Sequence, residues 1–252
     1  MPISGRINRG VSLVTRVRKA ILNKEPILKE KNDGKDLDHL FLYDGKESHT
    51  EEWFDYCVKR GLKDAKIIVP NMKDDYQNKA FNNGESLIIV LMYEDKYELM
   101  KVDSTLENDR WRYRFIKTDE VKPFEIIMEP KLEEFKKVLA DIGDFSVEIK
   151  CGGWKKDFME ASDIIDGSID IDEKKYKWLV NMYDYLPDKF RRILVGSSAA
   201  DVFGGMGSWN DSPAWCAGET PELYGRYQDI SAELSYYIYY HYMYVANEAF
   251  ID

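Results

Sequence analysis

The hydrophobic period of this chain turns helical near Pro130 and stays so, and that change limits the folds open to it. Before it, SLIIVLMY (86–93) is apolar and β-branched, and KYELMKV (96–102) alternates. In RWRYRFIKT, Trp111, Tyr113 and Phe115 fall on one side while Arg110, Arg112 and Arg114 fall on the other. A period of two builds strands with one face toward a core and one toward water. After Pro130 the apolar residues recur every three or four: Leu132, Phe135, Leu139, Ile142, then Trp154, Phe158, Ala161, Ile165. The longest such run is Leu223, Tyr227, Ile230, Leu234, Tyr237, His241 and Tyr244, a seam of heptad type on one helix. The two periods predict an α+β fold, with an N-terminal antiparallel sheet and its helices followed by a mainly α-helical C-terminal domain.

Three segments follow: a basic N-terminal stretch over 1–31, an α+β domain with an antiparallel meander over 32–128, and a helical domain over 129–252. Within the second, Thr50 is the expected N-cap of TEEWFDYCVKRGLKD and Gly61 its stop. AKIIVP reads as a strand, and FEIIM (124–128) as a further one. Within the third, Gly143 is the expected end of the first helix, KKYKWLVNMYDYLP a third helix and PDKFRRILVGSSAADVF a fourth.

Charge sorts the partners. The formal net charge is −10, yet residues 1–31 hold eight Lys or Arg against Glu25 and Glu30, leaving that stretch at +6 and the rest at −16. An acidic body disfavours nucleic acid, whose phosphates need clustered cations. The stripe Val14, Val17, Ile21 makes the basic stretch an amphipathic helix, expected to dock on the body, with peripheral membrane contact through residues 6–24 left open. No window approaches eighteen apolar residues, so no transmembrane segment is expected. Cys57, Cys151 and Cys216 are odd in number and far apart, with neither metal-ligand spacing nor a disulfide framework, which fits reduced thiols in a cytoplasmic protein.

FGGMGSWNDSP (203–213) is the stretch most able to carry chemistry. Glycines at a helix N-terminus can cradle phosphate, but here Trp209 follows Gly207-Ser208 where a P-loop needs Lys, and a helix precedes the loop where a strand is needed. GMGSW is not a nucleophile elbow, and His39, His49 and His241 show no arrangement with Ser208. Asp201, Asn210 and Asp211 could hold a cation, or cap helices. A structural connector also fits: Ser208, Asn210 and Asp211 can satisfy local backbone groups while the glycines adopt positive φ. The candidate binding residues are therefore Gly204, Gly205, Met206, Gly207, Ser208, Trp209, Asn210 and Asp211, with Trp215 and Tyr224 nearby and His241 on the last helix. No catalytic residue, metal ligand or cofactor is assigned.

Residues from about 130 to 248 resemble a family of uncharacterised bacterial helical proteins. Its recurring pattern is a helix, a motif (F/Y)GGMGS(F/W/L)ND, and a helix rich in Tyr, Leu and Glu. The matching residues here are VFGGMGSWNDSP, preceded by SSAAD and followed by YGRYQDISAELSYYI. Some members lie near toxin genes, which implies an immunity-like or accessory role. The expected function is thus a cytoplasmic protein that binds and occludes a protein partner, a basic toxin or effector being the partner class that an acidic surface attracts. Trp209, Trp215 and Tyr224 are its anchor candidates. The alternative is an enzyme or small-ligand module with a pocket between the sheet and the helical domain, lined by Ser208, Asn210, Asp211 and His241.

Overall fold

The computed structural model describes residues 4–32, 35–37, 39–69, 87–107, 110–119, 126–204 and 207–250. Helix α1 (Ser4–Asn23) leads into a short hairpin, β1 (Glu30–Asn32) and β2 (Lys35–Leu37). Strands β3 (Leu40–Tyr43) and β4 (Lys46–Ser48), helix α2 (Thr50–Lys59), and strands β5 (Asp64–Ile68), β6 (Ile88–Met92), β7 (Tyr97–Glu107) and β8 (Arg110–Thr118) follow. The rest is helical: α3 (Leu132–Glu148), α4 (Trp154–Asp166), α5 (Lys177–Met182), α6 (Asp188–Ala199), α7 (Ser212–Ala217) and α8 (Pro221–Glu248). The fold is α+β. Among the described residues no helix is long and apolar enough to cross a membrane.

The sheet has the order β4-β3-β8-β7-β6-β5. Strands β5 to β8 form the antiparallel meander that the alternation predicts. The sheet as a whole is mixed, because β3 joins β8 in parallel, with Phe41 opposite Phe115. Its two faces divide by residue parity. Ile67, Ile89, Leu91, Met100 and Val102 join the main core, whereas Ile68, Ile88, Val90 and Leu99 form a second small cluster on the other face. Both faces of β5 to β7 are therefore covered, where a single buried face was expected. Tyr113 and Phe115 are buried and Arg112 is exposed, as the alternation requires; the Trp111 and Arg110 side chains lie outside the described residues.

Helix α1 departs furthest from expectation. Every residue from 7 to 18 is buried, Arg9, Arg16 and Arg18 included, so the helix runs through the core and is not a surface element. Of the cations that peripheral membrane contact through residues 6–24 would use, Arg9, Arg16 and Arg18 are enclosed, whereas Lys24 is exposed. The fully buried Glu30 accepts hydrogen bonds from Arg9, from Arg16 at 3.2 Å and from His39 at 2.9 Å. Burial alone would raise the Glu30 carboxyl, but His39, Arg9 and Arg16 outweigh it and hold the group well below the usual carboxylate range. Arg18 bonds Asp64 at 2.8 Å and the Ala246 carbonyl at 3.0 Å. Gly10 lets α1 approach the sheet closely, since a Cβ there would come within 2.2 Å of Leu87 Cδ2.

Helix α8 starts where Thr220 Oγ1 accepts from the Leu223 amide, with Pro221 in the first turn. Its expected seam holds as far as Leu234, but from Ile238 to Met243 and again from Val245 to Asn247 every residue is buried. A helix enclosed all round is a core helix, not a coiled-coil partner. It closes the edge of the sheet. Asn247 Oδ1 accepts from the Ile67 amide at 2.8 Å, and its Nδ2 donates to the Ile67 carbonyl at 3.1 Å, occupying the open side of β5. One apolar cluster thus joins α1, α2, the sheet and the C-terminal helices.

Several boundaries move. His49 is the N-cap residue of α2, with Thr50 already helical. Helix α3 runs past Gly143 to Glu148, and the third helix shortens to Lys177–Met182. Residues 126–128 of FEIIM are not a strand, and 124–125 lie outside the described residues. Helix α7 is a short helix that the sequence reading did not place; its signal is Pro213 directly after Asn210-Asp211-Ser212.

Candidate functional site

The 201–211 segment leaves α6 and is anchored by one side chain. Trp209 is completely buried, edge-on to Phe158 (5.4 Å between ring centres) and Trp154 (6.1 Å) and stacked on Tyr227 (5.9 Å). Its indole N–H donates to Ser231 Oγ at 2.8 Å, its amide to the Val202 carbonyl at 3.0 Å, and its carbonyl accepts from the Tyr227 hydroxyl at 3.1 Å. A tryptophan with both its polar handle and its backbone engaged is a plug. The expectation that Trp209 anchors a partner is therefore corrected.

Around that plug the loop satisfies itself. Asp211 Oδ2 accepts from the Gly207 amide at 2.9 Å, and Ser208 Oγ accepts from the Asn210 amide at 3.3 Å. Gly207 has φ +77°, the left-handed region that glycine tolerates best. Gly204 lies 3.6 Å, by its would-be Cβ, from Ser208 Cβ; Gly205 and Met206 lie outside the described residues. Asn210 differs from its neighbours. Its amide oxygen and nitrogen are both shielded from solvent, and neither has a hydrogen-bond partner.

The other sequence candidates separate. His241 is buried, ten residues beyond Ser231 on α8, about 15 Å along the axis. Its Nδ1 lies 2.8 Å from the Tyr237 carbonyl and its Nε2 2.6 Å from the Pro130 carbonyl, with Phe135 4.7 Å away. Burial pushes it down to about 4, against the pull of the two carbonyls, so at neutral pH the ring is uncharged and donates through one nitrogen only. His241 belongs to the α3–α8 contact and does not share a pocket with Ser208. Tyr224 stacks on Tyr227 at 6.0 Å and is 38% exposed. Trp215, on α7, is 85% exposed.

Two residues that sequence reasoning set aside meet beside this loop. Cys151 lies in the turn between α3 and α4, Cys216 on α7, and their sulfurs are 3.2 Å apart. Nothing in a separation of 65 residues signals that contact. An open cavity of about 370 Å³ at the same turn is lined by Cys151, Gly152, Gly153, Trp154 and Asp157. A second, of about 460 Å³, lies between α1 and α2 over Ala20, Ile27, Phe54 and Leu62, away from the loop. Among the described residues no group of three His, Cys, Asp or Glu converges as metal ligands do.

No family model, curated protein or solved structure matches this chain, so the functional reading is carried by the residues themselves.

Proposed function

We propose that the chain is a protein-binding factor of immunity-like or accessory type, docking a basic partner through the surface around α7. The observation that carries this is Trp215, 85% exposed on a six-residue helix and directly followed by Cys216, whose sulfur touches that of Cys151. Burying a tryptophan in an interface removes a large apolar area from water, and such residues dominate binding energy. Tyr224 and Val147, 38% and 52% exposed, add apolar area on α8 and at the end of α3.

Charge supports the partner class. Among the described residues the enclosed charges are Arg9, Arg16, Arg18, Lys66 and Glu30, net +3, and all other residues of the chain together carry −13 against a total of −10. Folding thus withdraws net positive charge from the described surface. A basic protein is then steered toward it, and the encounter slows as salt rises. The resemblance of residues 130–248 to a family some of whose members lie near toxin genes leads to the same class.

The test is capture from the native host with wild type and Trp215→Ala, followed by titration of the purified partner. So exposed a side chain can be removed without unfolding the chain. The expected result is a basic protein bound in a fixed ratio, with affinity lower in Trp215→Ala by about 2 kcal/mol, roughly thirtyfold. Equal affinity of the folded variant and the wild type sinks the assignment of α7.

A second reading, a small-ligand module, is favoured by Asn210 alone, whose shielded amide lacks both partners. Buried polar groups seldom go unpaired, and a ligand reaching this amide would satisfy it. Thermal stabilisation by a metabolite that vanishes in Asn210→Leu supports that reading; stabilisation that persists in the variant removes it.

A further inference from the structure

We infer that Cys151 and Cys216 form a reversible dithiol–disulfide site, closed by exchange with a low-molecular-weight disulfide of the glutathione type. The sulfurs stand 3.2 Å apart, and a bond needs an approach of only about 1.2 Å more. Both residues are partly exposed, and Cys151 lines the open 370 Å³ cavity, so a tripeptide disulfide has a route in. Their backbones can supply the approach. Cys151 is followed by Gly152 and Gly153 in a turn, and Cys216 sits on a helix of six residues of which only Pro213 and Ala217 are buried.

The third cysteine supplies the contrast. Cys57 is fully buried on α2, and its thiol is pushed up to about 11 by burial. Burial also pushes the Cys151 thiol up to about 11, and that thiol directs its hydrogen at the Cys216 sulfur. Cys151 is thus a poor first nucleophile, which leaves the first attack to Cys216.

The exchange balances in two steps. Cys216, as thiolate, attacks one sulfur of the small disulfide; a protein–glutathione bond forms, the small S–S bond breaks, and the first small thiol leaves, taking up the proton Cys216 gave to solvent. Cys151 then loses its proton and attacks Cys216 Sγ, forming the intramolecular bond and releasing the second small thiol. The two protein thiols are oxidised by two electrons and the small disulfide is reduced by two. The cross-link joins the α3–α4 turn to α7, next to the Gly207–Asp211 loop, and holds even if Trp215 docks nothing.

The test uses the full folded chain, equilibrated with excess oxidised glutathione under native conditions, then denatured for thiol titration and peptide mapping. The wild type is expected to go from three free thiols to one, with a peptide joining 151 to 216 that dithiothreitol releases. Cys57→Ser should keep that peptide, and Cys216→Ser should lose it and leave Cys151 free of glutathione. Three free thiols in the treated wild type, a wild-type adduct without the cross-link, or a cross-link to Cys57 each overturn the assignment. The wild-type map decides alone should Cys216→Ser fail to fold.

Discussion

Glu30 shows how far single residues here depend on their surroundings. It is a carboxylate without solvent, tolerated because Arg9, Arg16 and His39 converge on it. Removing one partner of such a set leaves charge buried and uncompensated. Glu30→Gln is therefore expected to lower the unfolding free energy by about 3–5 kcal/mol in urea titration at pH 7. Because the folded carboxyl lies below its unfolded value near 4.5, its contribution is complete above that pH and fades as pH falls; the variant should show a shallower acid limb. His241 titrates in a different window. Its folded value, about 4, lies below the unfolded 6.5, so between these the unfolded chain takes up a proton that the folded chain refuses. Stability should drop by about 2 kcal/mol from pH 7 to pH 5 through this residue. A folded His241→Phe variant that keeps the full slope over that interval sinks the assignment.

At the scale of elements, strand edges and helix crossings rest on few groups. Asn247 matters most for the sheet. Its amide takes both backbone groups of Ile67 and also reaches the Ile127 carbonyl at 3.3 Å, so one side chain ties α8, the β5 edge and the segment entering α3. Asn247→Leu leaves the two Ile67 groups buried and unpaired, with an expected cost of about 2–4 kcal/mol. Amide exchange distinguishes this from a general loss of stability: Ile67 should lose protection ahead of Ile89 in the neighbouring strand. Equal protection of the two in the variant would show the edge to be held by something else. The opposite edge, β4, is three residues long with Lys46 and Glu47 exposed, a short charged edge that needs no such cover.

For the molecule as a whole, α1 decides most. It lies against α8, the sheet and the buried hairpin residue Glu30, with Asn8 accepting from the Tyr183 hydroxyl at 2.8 Å and donating to the Tyr242 hydroxyl at 3.3 Å. Deleting residues 1–23 is thus expected to abolish cooperative thermal unfolding and near-ultraviolet dichroism of the whole chain. A truncated chain that still melts cooperatively would mean that the sheet and the helices stand without α1. The amino-acid sequence by itself determined the kind of each main element and the acidic excess, because period and charge act over a few positions. The meander was legible in the same way, as was the local self-satisfaction of the loop by Ser208 and Asp211. Burial partners were not, because a stripe says only that a face must be covered and never by what. Val14, Val17 and Ile21 described one apolar face of α1, yet Arg9, Arg16 and Arg18 are enclosed too, because Glu30 and Asp64 reach them from elsewhere in the chain. Trp209 and Trp215 are six residues apart and equally apolar, and only tertiary packing made one a plug and left the other in water. The parallel pairing of β3 with β8 and the meeting of Cys151 with Cys216 are likewise contacts between distant positions, fixed when the layers close and invisible to any local pattern.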